Sequence, residues 1–378
     1  NWTVLLAISA FSLSLLGAFL VRSGVLSSVH AFATDPARGV FLLILLVAVV
    51  GGSLMLFALR APTVGLGGRF GLVSRESLLL TNNMLLAVAC ASVLLGTLYP
   101  LLIDALGLGK LSVGPPYFDA VFAPLMLPLL FLTGVGPFAR WKQDRLPALA
   151  HSLRWIFLCA AFVGIAAPFA AGEWKPWVAL ALSLAAWIVL AGLSDLVRRA
   201  RAAHGRLSAG FLGMHLAHFG VAVFLAGVAV VGGYQQEKDV RMAVGDTVEM
   251  AGYAFRFNGV RQERGANYTA LAGELDLVRG GRGIARLRPE KRFYSTSAMP
   301  MTEAAIDVGF LRDLYVSLGE PVDKANPAGD WIVRVHFKPL IGWIWGGCAL
   351  MALGGLLAVC DRRYRMLRTE KSGMRSTV

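Results

Sequence analysis

Hydrophobic residues occur along this chain in long runs that alternate with short polar segments. Each run has about 20 residues, the length that an α-helix needs to cross the hydrocarbon core of a bilayer. The pattern predicts eight membrane helices, near residues 2–22, 39–59, 79–103, 119–138, 153–172, 177–197, 210–232 and 339–360. We therefore interpret the chain as a polytopic α-helical membrane protein.

The hydrophilic stretch between the last two runs has a different period. Apolar and polar residues alternate in it, with Gly, Pro and Asn between the alternating segments, as in strands joined by turns. These segments are 253–257, 271–278, 284–287, 305–308 and 331–335. They predict a small antiparallel sheet or barrel. No cluster of His, Cys or acidic residues in this stretch has metal-ligand spacing.

Composition and charge agree with a membrane protein. The chain is 56% hydrophobic and 16% charged, which is too apolar for a soluble domain of this length. Most of the net charge of +13 falls in the loops on one side of the spans and in the tail, whereas the opposite loops and the insert are nearly balanced. The positive-inside rule then predicts that both termini are cytosolic and that the insert lies outside. Because topology explains the basic excess, we expect no nucleic-acid partner.

The expected organisation has three parts. Residues 1–233 contain the first seven helices and an external loop with His30. Residues 234–338 form the small external, mostly-β domain, and residues 339–378 contain the last helix and a basic cytosolic tail. All four cysteines lie in or at the ends of the spans, without CxxC spacing. The external part is therefore not expected to carry out thiol redox chemistry.

Candidate chemistry is concentrated in histidines. His215 and His218 lie in the seventh predicted span, where imidazole is costly unless it binds something. They are three residues apart on one helix face, so they cannot be the two opposite ligands of one haem iron. A bis-histidine site would need a partner on another helix. His30 follows the first span in a short apolar loop, and His336 lies beside the last span; composition alone favours packing or interfacial roles for both.

Motifs along the whole chain resemble those of one family. They are RSGVLSSVHAFATDPARG at 22–39, SRES and NN at 74–83, GTLYP at 96–100, SVGPPYF at 112–118, the His218-Phe219-Gly220 helix and KPLIGWIWGG at 338–347. In this order they resemble the CcmF family of bacterial cytochrome c maturation proteins, which are haem lyase subunits. The resemblance implies an inner-membrane protein that takes haem from a periplasmic haem chaperone. It also implies support for haem reduction and for thioether attachment to the CxxCH motif of apocytochrome c, presented by thiol-reducing subunits.

The resemblance assigns two ligands. His30 matches a catalytic external histidine that holds the iron of the substrate haem, and His218 matches an axial ligand of a permanent, buried haem b. His215 is not part of the family pattern, and we interpret it as a neighbour, a hydrogen-bonding residue or a packing residue. In the family, the WWD segment and the other histidine of each pair precede the RSGVL motif, and they are not found in this sequence. We therefore expect a carboxy-terminal fragment or a protein encoded in pieces, inactive as a lyase by itself.

Two other classes of function remain open at this point. A haem or small-molecule transporter would use His215 and His218 as part of a path through the membrane. The spans show neither the intramembrane acids nor the broken-helix pairs of coupled transporters, which is evidence against this transporter hypothesis. The Gly and Pro residues near 124–137 are evidence for it. An assembly scaffold without a redox cofactor is the other alternative. A family member dedicated to nitrite reductase would share every motif above.

Overall fold

The structure is a computed structural model that describes residues 2–23, 36–60, 69–170, 172–202, 207–295, 300–323 and 329–361. Eight helices in these residues are long and apolar enough to span a membrane, as the sequence predicts, and the chain is a multi-pass membrane protein. They are α1 Trp2–Arg22, α2 Pro36–Arg60, α3 Arg75–Ala105, α4 Pro115–Val135, α5 Leu146–Ala170, α6 Pro176–Ala202, α7 Ala209–Tyr234 and α8 Ile341–Val359.

Three helices begin four or more residues earlier than the hydropathy pattern predicts, and one of them is α3, which begins at Arg75 rather than near residue 79. Helix α4 begins at Pro115 rather than near residue 119, and α5 begins at Leu146 rather than near residue 153. Proline is well suited to the first turn of a helix because its fixed φ is already helical. Pro115 opens α4, and Pro147 lies in the first turn of α5. The polar residues in the first two turns of α5 concealed its start from a search for apolar runs.

The first of two compact units contains α1, α2, α3, most of α4 and residues 139–145. Ser74 caps the amino terminus of α3, its hydroxyl accepting from the Ser77 backbone N–H at 3.1 Å. The Tyr117 hydroxyl donates to the Ser92 carbonyl at 3.0 Å. A Cβ at Gly96 would lie 2.4 Å from the Tyr117 ring. The glycine therefore lets the start of α4 approach α3 closely.

The second unit contains the end of α4, helices α5 to α8 and all of the strands. Trp187 on α6 is buried, and its Nε1 donates to the Phe131 carbonyl at 2.8 Å. Its ring stacks on Phe131 with centroids 5.5 Å apart. A Cβ at Gly134 would lie 2.3 Å from the indole. The end of α4 is thus held against α6 by the Trp187 indole, which forms a hydrogen bond with α4 and packs against Gly134.

Helices α7 and α8 touch backbone to backbone. Glycines recur on α7 every seven residues, two turns apart and therefore on one stripe; they are Gly213, Gly220 and Gly227. They face Gly347 and Gly354 of α8. A Cβ at Gly220 would lie 2.6 Å from the Met351 backbone nitrogen, and a Cβ at Gly354 2.5 Å from that of Ala217. Small residues permit this close approach in membranes, where dispersion and polar contacts rather than hydrophobicity hold helices together.

Polar contacts fix both ends of α7. At its amino terminus the buried Asp361, just beyond α8, accepts from the Gly210 backbone N–H at 2.7 Å. A carboxylate is favourable there because the first N–H groups of a helix lack intrahelical partners. At the other end Lys175 Nζ donates to the Gly233 carbonyl at 2.7 Å, and the Tyr234 hydroxyl donates to the Glu173 carbonyl at 2.7 Å. The loop before α6 is therefore bound to the end of α7.

The described residues between α7 and α8 form ten strands. They are β1 Gln236–Met242, β2 Thr247–Met250, β3 Tyr253–Arg264, β4 Tyr268–Arg279, β5 Arg282–Leu287, β6 Glu290–Tyr294, β7 Met301–Glu303, β8 Ala305–Val308, β9 Arg312–Pro321 and β10 Trp331–Pro339. All pairings are antiparallel. One sheet has the order β1-β10-β9-β8, and the other β2-β3-β4-β6-β7 with β5 paired to β4.

The two sheets enclose one apolar core. Its fully buried side chains include Trp331, Phe255, Phe257, Leu275 and Leu314. The mostly-β insert is therefore confirmed, but it has two sheets rather than the single sheet or barrel that the alternation suggested. A single residue, Gln235, separates α7 from β1, and Leu340 alone separates β10 from α8. These short connections join the strands rigidly to the α7–α8 pair.

Candidate functional site

The histidines of α7 occupy different environments. His215 is almost completely buried, whereas His218 is half-buried. Successive residues of an α-helix are about 100° apart, so His218 lies about 60° around the helix from His215. Gly220, at the centre of the α8 contact, lies about 140° from His215 in the opposite direction. His215 therefore faces α6, Gly220 faces α8, and His218 lies on the remaining flank of α7.

His215 meets a buried acid of α6 that the sequence analysis did not identify. Asp195 is completely buried, and its Oδ2 lies 3.3 Å from His215 Nε2, without the alignment of a hydrogen bond. Arg198 donates to Asp195 Oδ1 at 2.6 Å, and Arg199 Nε lies 3.7 Å from Oδ2. Helix α6 therefore contains a buried acid near its carboxy-terminal end, which weakens the sequence argument that the spans lack intramembrane acids. A buried carboxylate is tolerated here because two guanidinium groups one turn away compensate its charge.

Aromatic rings surround the rest of the His215 imidazole. The Phe211 ring meets it edge-on with centroids 4.5 Å apart, and the Phe219 ring lies 6.2 Å away. Arg199 in turn covers Phe211 at 4.9 Å. A Cβ at Gly192 would lie 2.7 Å from Phe219 and 3.4 Å from His215 Nδ1. The glycine on α6 therefore makes room for an enclosed imidazole that has no space for a bulky ligand.

His218 is the better ligand candidate. Among the described residues, no side chain or backbone group forms a hydrogen bond with its ring. An imidazole on an apolar helix flank, without a hydrogen-bond partner among the described residues, would be suited to bind a haem iron. The described residues contain no group of three or more His, Cys, Asp or Glu that could hold a bare metal ion. A porphyrin supplies four nitrogen ligands itself, so axial ligation needs no such group.

The other histidines are placed as follows. His30 lies outside the described residues, as does His204. His151 is exposed, with Nδ1 3.2 Å from an Arg154 guanidinium nitrogen. His336 lies on β10, half-buried, with Nδ1 3.4 Å from Glu237 Oε2. Partial burial lowers the pKa of His336 below its usual value, although the Glu237 carboxylate opposes this shift.

Comparison with known proteins gives a consistent family. The family model described as the CcmF C-terminal beta-sandwich matches residues 233–339. The cytochrome c-type biogenesis protein CcmF of Pseudomonas aeruginosa is 52% identical over 372 residues, which cover 97% of this chain and 56% of that protein. The Escherichia coli protein of the same name is 46% identical over 366 residues, with 96% and 56% covered. The cytochrome c-type biogenesis protein NrfE of Haemophilus influenzae is 34% identical over 372 residues, with 96% and 56% covered.

A solved structure supports the fold. The chain is similar to the structure titled cytochrome c heme lyase CcmF, with a TM-score of 0.75 at 24% identity, covering 95% of this chain and 55% of that one. The likeness to this structure concerns the fold alone. The chain spans about 56% of the length of the curated relatives named above. It belongs to the CcmF family.

Proposed function

We propose that this chain takes part in cytochrome c biogenesis as a haem lyase subunit that supports covalent attachment of haem to apocytochrome c. The observation that carries the proposal is the position of His218, which forms no hydrogen bond with any described residue and lies on the flank of α7 that faces neither α6 nor α8. The family resemblance and the names of the relatives agree with this role. His30 is proposed to hold the substrate haem, on the basis of its place in the RSGVLSSVH motif.

In this proposal the α7 residues have separate tasks. His218 would provide one axial ligand of a buried haem b. The second would come from outside the described helices, because His215 lies on the same helix and faces α6. A buried bis-histidine haem supplies one-electron redox chemistry, with a potential set by its ligands and burial. Asp195 and the α8 glycines would fix the rotation of α7 and thereby aim the His218 ring.

The proposed partners follow from that role. They are a periplasmic haem chaperone, apocytochrome c and the subunits that reduce and present its thiols. The proposed location is the bacterial inner membrane, with both termini in the cytosol and residues 234–338 in the periplasm. The basic loops on one side of the spans support this orientation.

Transport of haem or another small molecule is the second candidate, and the buried Asp195 favours it. Two features weigh against transport. Asp195 lies within two turns of the end of α6, and arginines compensate its charge. Each of the eight described helices is also continuous, whereas coupled transporters commonly use broken helices at the binding site. We therefore favour the haem lyase role.

A chimera tests the proposal. In the Pseudomonas aeruginosa relative, the matched segment is replaced by this chain, and the chimera is expressed in a strain without its own copy. We expect the chimera to restore haem-stained c-type cytochromes. His30→Ala and His218→Ala should abolish the stain, whereas His151→Ala, at an exposed histidine, should not. Full cytochrome c yield in both ligand variants, at equal protein levels, would refute the proposal.

A further inference from the structure

The β-sandwich exposes a small apolar surface at the end where it joins α8. We call residues 308–311, which are the last residue of β8 and its connection to β9, the interfacial turn. Val308 is 75% exposed, Phe310 79% and Leu311 63%. Three large apolar side chains crowded into one short turn expose more hydrocarbon than water favours, and such clusters mark interaction surfaces.

The turn is fixed against the first turn of α8. The Leu340 backbone N–H donates to the Leu311 carbonyl at 2.9 Å, and Trp343 Nε1 donates to the Phe310 carbonyl at 3.1 Å. The Phe310 and Trp343 rings lie 5.8 Å apart. The interfacial turn and the start of α8 are therefore at the same height.

That height is the boundary of the bilayer. Helix α8 has 19 residues, so it is about 28 Å long, close to the hydrocarbon thickness of about 30 Å. Its first turn must then lie at one edge of the hydrocarbon if its last turn is to reach the other. Trp343 and the 74% exposed Trp345 occupy this edge, where Trp is enriched in membrane proteins.

The turn is built to keep its shape while its side chains face outward. The Gly309 backbone N–H donates to Asp313 Oδ1 at 3.0 Å. Arg312 donates to the Asp307 carbonyl at 3.0 Å and forms an ion pair with the Asp307 carboxylate. The polar groups that flank the apolar side chains are thus satisfied within the protein. Little polar surface would have to lose water if the turn entered an apolar medium.

We propose that the interfacial turn inserts Phe310 and Leu311 into the interface of the lipid bilayer and so holds the β-sandwich at a fixed height and tilt on the membrane. The occupant of this apolar surface is lipid, because the surface continues the aromatic edge of a membrane-spanning helix. The sandwich would then have two membrane attachments, the α7–α8 pair and the turn.

Spin labels measure this directly. The four native cysteines, all free and exposed on helices or their ends, are replaced by alanine, and single cysteines are placed at Leu311, at Trp345 and at Val322. Val322 is an exposed apolar residue at the opposite end of β9, about 30 Å away for a strand of ten residues. The whole chain is reconstituted in bilayers of phosphatidylethanolamine and phosphatidylglycerol. Accessibility of each label to apolar oxygen and to a polar nickel chelate is then recorded.

We expect the oxygen-to-nickel accessibility ratio at Leu311 to match that at Trp345 and to exceed that at Val322 several-fold. A label at Leu311 that is as accessible to nickel as the one at Val322 would overturn the proposal, because the turn would then be in water. A label shielded from both reagents would also overturn it, because protein rather than lipid would cover the turn. Leu311→Asp should move a label at Val308 toward the nickel-accessible range, whereas Val322→Asp should leave it unchanged.

Discussion

Two adjacent glycines of α8 allow a matched test of the α7–α8 contact. Gly354 faces α7, and a Cβ there would lie 2.5 Å from the Ala217 nitrogen and 2.6 Å from the Gly213 carbonyl oxygen. Gly355 is the next residue, and a Cβ there meets nothing within 4 Å. Because both obstacles at Gly354 are backbone atoms, no side chain can turn aside to admit the new methyl group.

The expected cost follows from these distances. Ordinary contact begins at 3.4 Å, so Gly354→Ala must move the helices apart by about 0.9 Å along that stripe. A gap of this size removes roughly a quarter to a half of the dispersion energy of each contact between α7 and α8. Overpacking of this kind costs about 1–3 kcal/mol. The intrinsic helix preference for alanine over glycine, about 1 kcal/mol in water, acts equally at both positions and cancels in the comparison.

The assay is unfolding of the purified chain in mild detergent by increasing mole fractions of dodecyl sulfate, followed by tryptophan fluorescence. We expect Gly354→Ala to be less stable than Gly355→Ala by about 1–3 kcal/mol, with Gly355→Ala equal to or above the unsubstituted chain. Equal unfolding midpoints for the two variants would refute the backbone-to-backbone contact.

Two further predictions concern a buried indole and a strand histidine. Trp187→Ala should lower the free energy of unfolding by about 3–5 kcal/mol, because it removes the hydrogen bond to Phe131 and the stacked ring; the same titration tests this, and an unchanged midpoint would contradict it. Burial lowers the pKa of His336 in the folded state below 6.5. As the pH falls below 6.5, His336 is therefore protonated in the unfolded chain before it is protonated in the folded chain. The free energy of unfolding should decrease in this pH range. Thermal melts at pH 7.5 and 5.5 should therefore differ more for the unsubstituted chain than for His336→Gln, and equal shifts would exclude His336 as the cause.

Hydropathy predicted the helices well for a physical reason. The bilayer sets the length of each apolar run, so the sequence reports each span locally. The errors fall where polar residues belong to a helix. Helix α5 includes His151 and Ser152 in its first two turns, and the apolar run that predicts it begins only after them, near residue 153.

The strands were harder to predict because sheet edges need no alternation. All five alternating segments lie within observed strands. Strand β9 alternates as well, with Leu314, Val316 and Leu318 buried, and this signal was overlooked. Strand β1 is polar and mostly exposed on both faces, so no hydrophobic period marks it.

The contact between Asp195 and His215 could not be predicted from one sequence. Asp195 lies near the end of the predicted span 177–197 and just before several arginines, and the sequence analysis did not single it out. A signal was nevertheless present, because Asp195 is spaced three and four residues before Arg198 and Arg199, as in a helix that pairs its charges. Its approach to His215 depends on how α6 packs against α7, and that packing is set by Gly192 and Phe219 rather than by local pattern.

The proposal that His218 is an axial ligand is tested most directly by an absorption spectrum. The chimera with the Pseudomonas aeruginosa relative is purified, and its dithionite-reduced and oxidised spectra are compared with those of His218→Ala and His215→Ala. The account predicts a sharp low-spin b-type α band in the chimera, its loss in His218→Ala, and its retention in His215→Ala, whose imidazole faces α6. An undiminished band in His218→Ala, at equal protein, would contradict the account.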